Sequence, residues 1–182
     1  MRKLKRPLGF TGWRWDLLEE VRGRTLEIGC GWGSNFDHYP AEASISAFDI
    51  EPARARSAHN KRSGITLSTA DAQQIPHPNH SFDSVVGTLV FCSIPQPHIA
   101  LAEIRRVLKP GGKLFLIDHV RSHHHWLGST QEFLNPLWNT VTGGCNLNRD
   151  NETMIKDSGL KIERMMVGWY GLLKLLIANR DA

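Results

Sequence analysis

The chain has 182 residues, with hydrophobic and charged fractions ordinary for a soluble globular protein and a formal net charge of +4. That length suits one compact α/β domain able to bury its own core, and it leaves little room for a second. Three cysteines, Cys30, Cys92 and Cys145, form an odd and sparse set that argues against a disulfide framework and fits a reducing, cytoplasmic setting.

Much of the positive excess lies at the start, where Arg2, Lys3, Lys5, Arg6 and Arg14 precede the first acid, Asp16. Such a tip can attract nucleic acid or an anionic membrane, but a solvated, frayed terminus is the plainer reading. No run of basic residues alternates with aromatics, so no nucleic-acid partner is expected. The apolar stretch of a signal peptide is missing, and the most apolar segment, residues 165–178, is interrupted by Lys174. It falls short of the ~20 residues that a membrane span needs. Stable membrane insertion is therefore not expected, although transient contact stays open.

Short apolar runs then alternate with helical patterns, the sign of βαβ units and a mostly parallel sheet. Residues 25–30 read as a first strand running into a glycine-rich turn. Residues 44–49 read as a second strand, and Glu51–Pro52 opens a helix through Ser63, since proline suits the first helical turn. Residues 65–68 and 82–88 are the third and fourth strands. Residues 98–108 form an amphipathic helix with Leu101, Ile104 and Leu108 on one face, and Lys109–Pro110–Gly111–Gly112 is read as its stop. Residues 113–120 are the fifth strand. Residues 126–138 read as helical, and residues 161–167 and 172–178 as a closing strand pair. The whole is expected to be one domain: a cover segment (1–24), a core (25–120), and an acceptor side with closing strands (121–182).

Open α/β sheets bind ligands beyond the carboxyl ends of their strands. Four features converge there. Glu27-Ile28-Gly29-Cys30-Gly31-Trp32-Gly33 carries glycines at alternate positions, which lets backbone approach a ligand that a Cβ would block. A glycine loop also serves dinucleotides, but here the third glycine follows after one residue instead of two. Glu27 would repel a pyrophosphate and attract a cationic amino group. Asp49, with Ile50 after it, closes the second strand about twenty residues after the first glycines, where a carboxylate can take ribose hydroxyls or cap the next helix. Asp71–Ala72 follows the third strand and can meet an adenine. The fourth strand, its helix and Lys109–Pro110–Gly111–Gly112 supply the architectural order.

On these residues the chain resembles the class I S-adenosylmethionine-dependent methyltransferases over residues 25–120. The resemblance implies a Rossmann-like, mostly parallel seven-stranded sheet with an antiparallel strand near the C-terminal edge and helices on both faces. It also implies S-adenosylmethionine as methyl donor, S-adenosylhomocysteine as product and a small-molecule methyl acceptor. Glu27, Gly29, Cys30, Gly31 and Gly33 would hold the methionine part, Asp49 and Ile50 the ribose, Asp71 and Ala72 the adenine, with Thr88 beside them. The segments 87–93, Asp118–His119–Val120, Pro136–Leu137–Trp138 and 144–149 further resemble the thiol S-methyltransferases called methyltransferase-like seven and their bacterial relatives. The chain is expected to do without the hydrophobic N-terminal anchor of that group, and it departs from the group in Trp32 within the glycine loop and in Asp118 where glutamate is usual.

A thiol acceptor, with a pKa of about 8.5, is already a few per cent thiolate at neutral pH, so a strong base is optional. His119 is the candidate base or acceptor-orienting residue, or else a scaffold histidine. Asp118 can orient it or hold a neighbouring loop. Thr88, Phe91 and Cys92 are expected near the pocket floor, Phe91 equally as core and Cys92 as a buried unreactive thiol. Trp126, Phe133, Trp138, Trp169 and Tyr170 suggest an apolar acceptor pocket. Asn146, Asn148 and Arg149 would secure a lid or recognise a polar acceptor group. His123–His124–His125 lacks an acid or cysteine partner, and no two cysteines stand at metal-finger spacing, so no metal is expected. A thiol is the first acceptor. A lipid amine, a quinone-like oxygen or carbon nucleophile, and a non-catalytic cofactor-binding regulator are the alternatives, in a monomer or homodimer.

Overall fold

The structure, a computed structural model, describes residues 9–58 and 62–181. The basic residues before Gly9, and the part of the expected second helix at residues 59–61, lie outside them. Seven strands form a single sheet: β1 (Arg24–Ile28), β2 (Ser44–Asp49), β3 (Thr66–Thr69), β4 (Phe82–Thr88), β5 (Leu108–His119), β6 (Leu160–Gly168) and β7 (Leu173–Arg180). Their order is β3-β2-β1-β4-β5-β7-β6. β3 to β5 pair in parallel, while β7 runs antiparallel between β5 and β6. This is the expected Rossmann-like sheet, with its single reversed strand one place in from the edge.

Side chains alternate between the two faces of each strand, so one sheet carries two cores. Leu26, Ile28, Leu114, Leu116, Leu176 and Ala178 face one side. They pack against α3 (Pro97–Val107) through Ala100, Leu101, Ile104 and Val107, and against α5 (Asn151–Asp157) through Ile155. Phe115, Ile117, Leu173, Leu175 and Ile177 face the other side. There they meet Leu17 and Leu18 of α1 (Phe10–Leu18), Phe36, Tyr39, and Ala58 of α2 (Pro52–Ala58). Helices thus cover both faces.

Three local readings change. Lys109–Pro110–Gly111–Gly112 ends α3 but does not delay the next strand. Leu108 already pairs with Phe82, and the register then jumps so that Lys113 pairs with Ser84. The extra residues bulge outward through Gly111, at φ 73°. Gly112 is needed because a Cβ would sit 2.9 Å from the Lys109 carbonyl oxygen. α5 was not anticipated; Asp150 caps it, its carboxylate accepting from the Thr153 N–H at 3.3 Å. The helix after β5, α4, runs His125–Thr142, longer than expected. Among the described residues no helix is long and apolar enough to cross a membrane.

Candidate functional site

The strand order reverses between β1 and β4, and a cavity of about 280 Å³ opens at the carboxyl ends of β1 to β4. Gly29, Cys30, Gly31, Asp49, Ile50, Asp71, Ala72 and Thr88 all line it, as do Trp32, Asn35 and Arg14. The glycines differ in purpose. A Cβ at Gly29 would come within 2.2 Å of Val90 Cγ2, so this glycine serves packing. At Gly31, φ 54°, a Cβ would meet nothing within 4 Å, so the open space before it belongs to the cavity. Gly33, at φ 74°, turns the chain back over Phe36 and does not line the cavity.

Asp49 is 4% exposed and shapes the loop. Its Oδ2 accepts from the Gly31 N–H at 2.8 Å and its Oδ1 from the Glu51 N–H at 2.9 Å. The carboxylate therefore caps the turn and still lines the cavity with lone pairs to spare. Asp71 is held similarly, Oδ1 accepting from the Gln73 N–H at 2.8 Å.

Glu27 is buried and does not line the cavity itself. Its Oε1 accepts from Asn35 Nδ2 and its Oε2 from the Tyr39 hydroxyl, both at 2.8 Å. Burial pushes its carboxyl up to about 7, opposed by the Tyr39 and Asn35 hydrogen bonds and by Arg14. Asn35 links this acid to the cavity, since the same Nδ2 donates to Thr88 Oγ1 at 2.9 Å. Two polar atoms at the cavity are buried without a partner, Asn35 Oδ1 and Arg14 Nε. One is an acceptor and the other a donor, which suits an ammonium and a carboxylate on one ligand. Neither residue was found from sequence. Arg14 belongs by sequence to the basic N-terminal tip, and Asn35 has no local signature. Trp13 and Trp15, within the expected cover segment, do not line the cavity; Trp15 Nε1 donates to His38 Nε2 at 3.2 Å. Burial pushes the Cys30 thiol up to about 12, which leaves it inert at neutral pH.

The expected acceptor side lies next to this cavity without lining it. Asp118 is fully buried, and burial raises its carboxyl to about 6. Its oxygens accept from the backbone N–H groups of Cys92, at 3.1 Å, and His119, at 2.8 Å. That is the geometry of a group holding a loop, not of one orienting the His119 ring. His119 instead points Nδ1 at Cys145 Sγ, 3.7 Å away. The hydrogen bond from Cys92 holds Cys145 well below the usual thiol range, with His119 and Trp138 adding to it, and the same contact pushes Cys92 up. The Cys145 contact raises His119.

Phe91 is packed in the core and not at a pocket floor. Trp126, Phe133, Trp169 and Tyr170 are exposed, so the expected aromatic pocket is a surface, and Trp138 is 41% exposed. Asn146 and Arg149 fasten the loop after α4: Asn146 Nδ2 and Arg149 Nη2 donate, each at 2.8 Å, to the carbonyls of Cys92 and Ile94. Asn148 is half-buried outside the cavity lining.

Residues 26–116, half of the chain, match the protein family described as a methyltransferase domain. Human thiol S-methyltransferase TMT1B is 33% identical over 153 residues, 74% of this chain and 62% of that protein. Phosphatidylethanolamine N-methyltransferase of Cereibacter sphaeroides is 25% identical over 125 residues, 65% of this chain and 62% of that protein. The chain thus spans less than two thirds of the length of these relatives. An S-adenosylmethionine-dependent methyltransferase from Mesorhizobium loti superposes with a TM-score of 0.70 at 18% identity, over 92% of this chain and 95% of that one. At that identity the likeness is one of fold. With half its length in the methyltransferase-domain match, on a sheet of this order with a cavity at its switch point, the chain belongs to the S-adenosylmethionine-dependent methyltransferase family.

Proposed function

We propose that the chain transfers a methyl group from S-adenosylmethionine to a small thiol. The cavity residues fit the donor: Asn35 Oδ1 is an unused acceptor for its ammonium, and Arg14 Nε an unused donor for its carboxylate. Asp49 would offer its spare lone pairs to the ribose, Asp71 and Ala72 would hold the adenine, and the bare Gly31 would admit the ligand to the backbone. Glu27 acts from behind, fixing Asn35 and adding negative charge near the ammonium. When bound, the cofactor supplies a methyl group on a positively charged sulfur, a leaving group that needs no protonation.

One observation carries the choice of a thiol. Among the described residues that line the cavity none is a histidine, and the carboxylates there, Asp49 and Asp71, are tied to backbone N–H groups. A donor cavity whose own lining offers no free base suits an acceptor that ionises near neutrality by itself, and a thiol does. The relative named as a thiol S-methyltransferase supports the same choice. What the chain itself does is align and exclude water. Asp118 holds the Cys92 backbone and with it the wall segment that contributes Val90 and Ser93 to the cavity, so Asp118 is a positioning residue in this reading.

Turnover of methyl-labelled cofactor with a panel of small alkyl thiols tests the proposal. Methylated thiol is expected. Product from a lipid amine or a quinol with silence on every thiol would refute the acceptor, and calorimetry finding no binding of S-adenosylhomocysteine would refute the donor. The lipid amine is the second reading, favoured by the exposed apolar side chains of α4, Trp126, Phe133, Leu137 and Val141, and by the phosphatidylethanolamine N-methyltransferase relative.

A further inference from the structure

Three side chains that no local pattern joins meet beyond the carboxyl ends of β4 and β5. Cys92 follows β4, His119 ends β5, and Cys145 lies in the loop after α4. One possible ligand atom from each lies within 4.8 Å of the other two. None of the three lines the cofactor cavity.

The spacing can be compared with a metal's demand. Tetrahedral zinc with Zn–S of about 2.3 Å and Zn–N of about 2.0 Å sets a sulfur and a nitrogen ligand roughly 3.5 Å apart. His119 Nδ1 and Cys145 Sγ stand 3.7 Å apart. We propose that Cys92, His119 and Cys145 form a zinc site of the two-cysteine, one-histidine type. Two thiolates and a neutral imidazole around Zn²⁺ carry no net charge, which suits the burial of both cysteines. Each thiol gives its proton to solvent as the ion binds. Three protein ligands leave one tetrahedral position to water or an exogenous ligand.

The surroundings are those of a held site. Asn146, next to Cys145, donates to the Cys92 carbonyl oxygen through both its backbone N–H and its Nδ2, at 2.8 Å each. Its own Oδ1 accepts from Asn135 and Asn139 of α4 at 3.3 Å. Asp118 holds the Cys92 N–H from the other side. Hydrogen bonds of this kind, made to the segments that carry the ligands, fix them before the ion arrives. The sequence hid the site because its members are 27 and 26 residues apart, far from any finger spacing.

The test uses the full chain, reduced and stripped with a chelator, and titrated with Co²⁺ as the spectroscopic substitute. One Co²⁺ per chain is expected, with thiolate-to-cobalt charge-transfer absorption and the visible bands of a tetrahedral ion, all displaced by one equivalent of Zn²⁺. Cys92→Ser, Cys145→Ser and His119→Ala should each lose stoichiometric uptake, while the double variant His123→Ala, His124→Ala keeps it. Absence of stoichiometric uptake by the reduced wild-type chain overturns the proposal whatever the variants do. So does uptake that survives both serine substitutions. The readout is independent of methyl transfer, so an inactive enzyme that binds cobalt in this way still supports the site.

Discussion

Glu27→Gln separates what Glu27 costs the fold from what it contributes to the cofactor. The Glu27 carboxyl is fully buried, and its value rises from 4.5 to about 7 because burial disfavours the charge. An acid whose folded value is raised binds more protons folded than unfolded between those two values. Its contribution to stability is therefore fully present below 4.5 and is lost as pH rises to about 7. The loss is about 1.4 kcal/mol per pH unit in that window, about 3 kcal/mol in all. Glutamine cannot ionise, yet it can still accept from Asn35 and donate to the Tyr39 oxygen.

Without cofactor, the variant should therefore gain about 3 kcal/mol on the wild type between pH 4.5 and about pH 8. Urea unfolding at the two pH values, read as midpoints at constant slope, measures this. With S-adenosylhomocysteine the order should reverse in affinity: the wild type binds more tightly as Glu27 ionises, and the variant stays flat with pH. A stability gap that does not change with pH, or a wild type that gains on the variant as pH rises, would refute the reasoning.

The two loop glycines should respond differently to alanine. Gly29→Ala drives a Cβ to 2.2 Å from Val90 Cγ2 at φ 62° and should cost about 3 kcal/mol of thermal stability. Gly31→Ala meets no atom within 4 Å and should cost only about 1 kcal/mol, yet weaken S-adenosylhomocysteine binding by calorimetry; an unchanged affinity would mean that no ligand approaches there. Arg14→Met should weaken the same ligand by about tenfold with little change in melting temperature, and equal affinity would remove the carboxylate role. Leu101→Ala, at a position with 0% exposure, should lose 2–5 kcal/mol in urea; a loss under about 1 kcal/mol would mean that α3 is not packed as described.

The sheet and α3 were legible because their signals are local. Strand runs, a glycine turn and the spacing of Leu101 and Ile104 each lie within a few residues, and period alone assigns them. Leu108 marks the limit of that method. It continued the helical period, but pairing with Phe82 across the sheet claimed it for β5. α5 spans only seven residues, too few for a period to show, and only Asp150 announced it.

The same distinction divides the site. The donor side is built from the loops that directly follow β1, β2 and β3, so each acid and glycine sits beside the strand that places it. Arg14 and Asn35 were missed because they reach the cavity from a helix before β1 and from a turn after the glycines. The acceptor side depends on returns of the chain. Asp118 meets Cys92 across 26 residues, His119 meets Cys145 across another 26, and Asn146 reaches back 54. No spacing rule reaches that far. An acid before the His-Val pair could be read as a partner for the adjacent ring or as the holder of a loop, and folding decided for the loop by giving it two backbone N–H groups and giving the ring a sulfur. In such a fold, local motifs mark the cavity at the switch point, and the residues beyond the ends of β4 and β5 are brought together by distant loops.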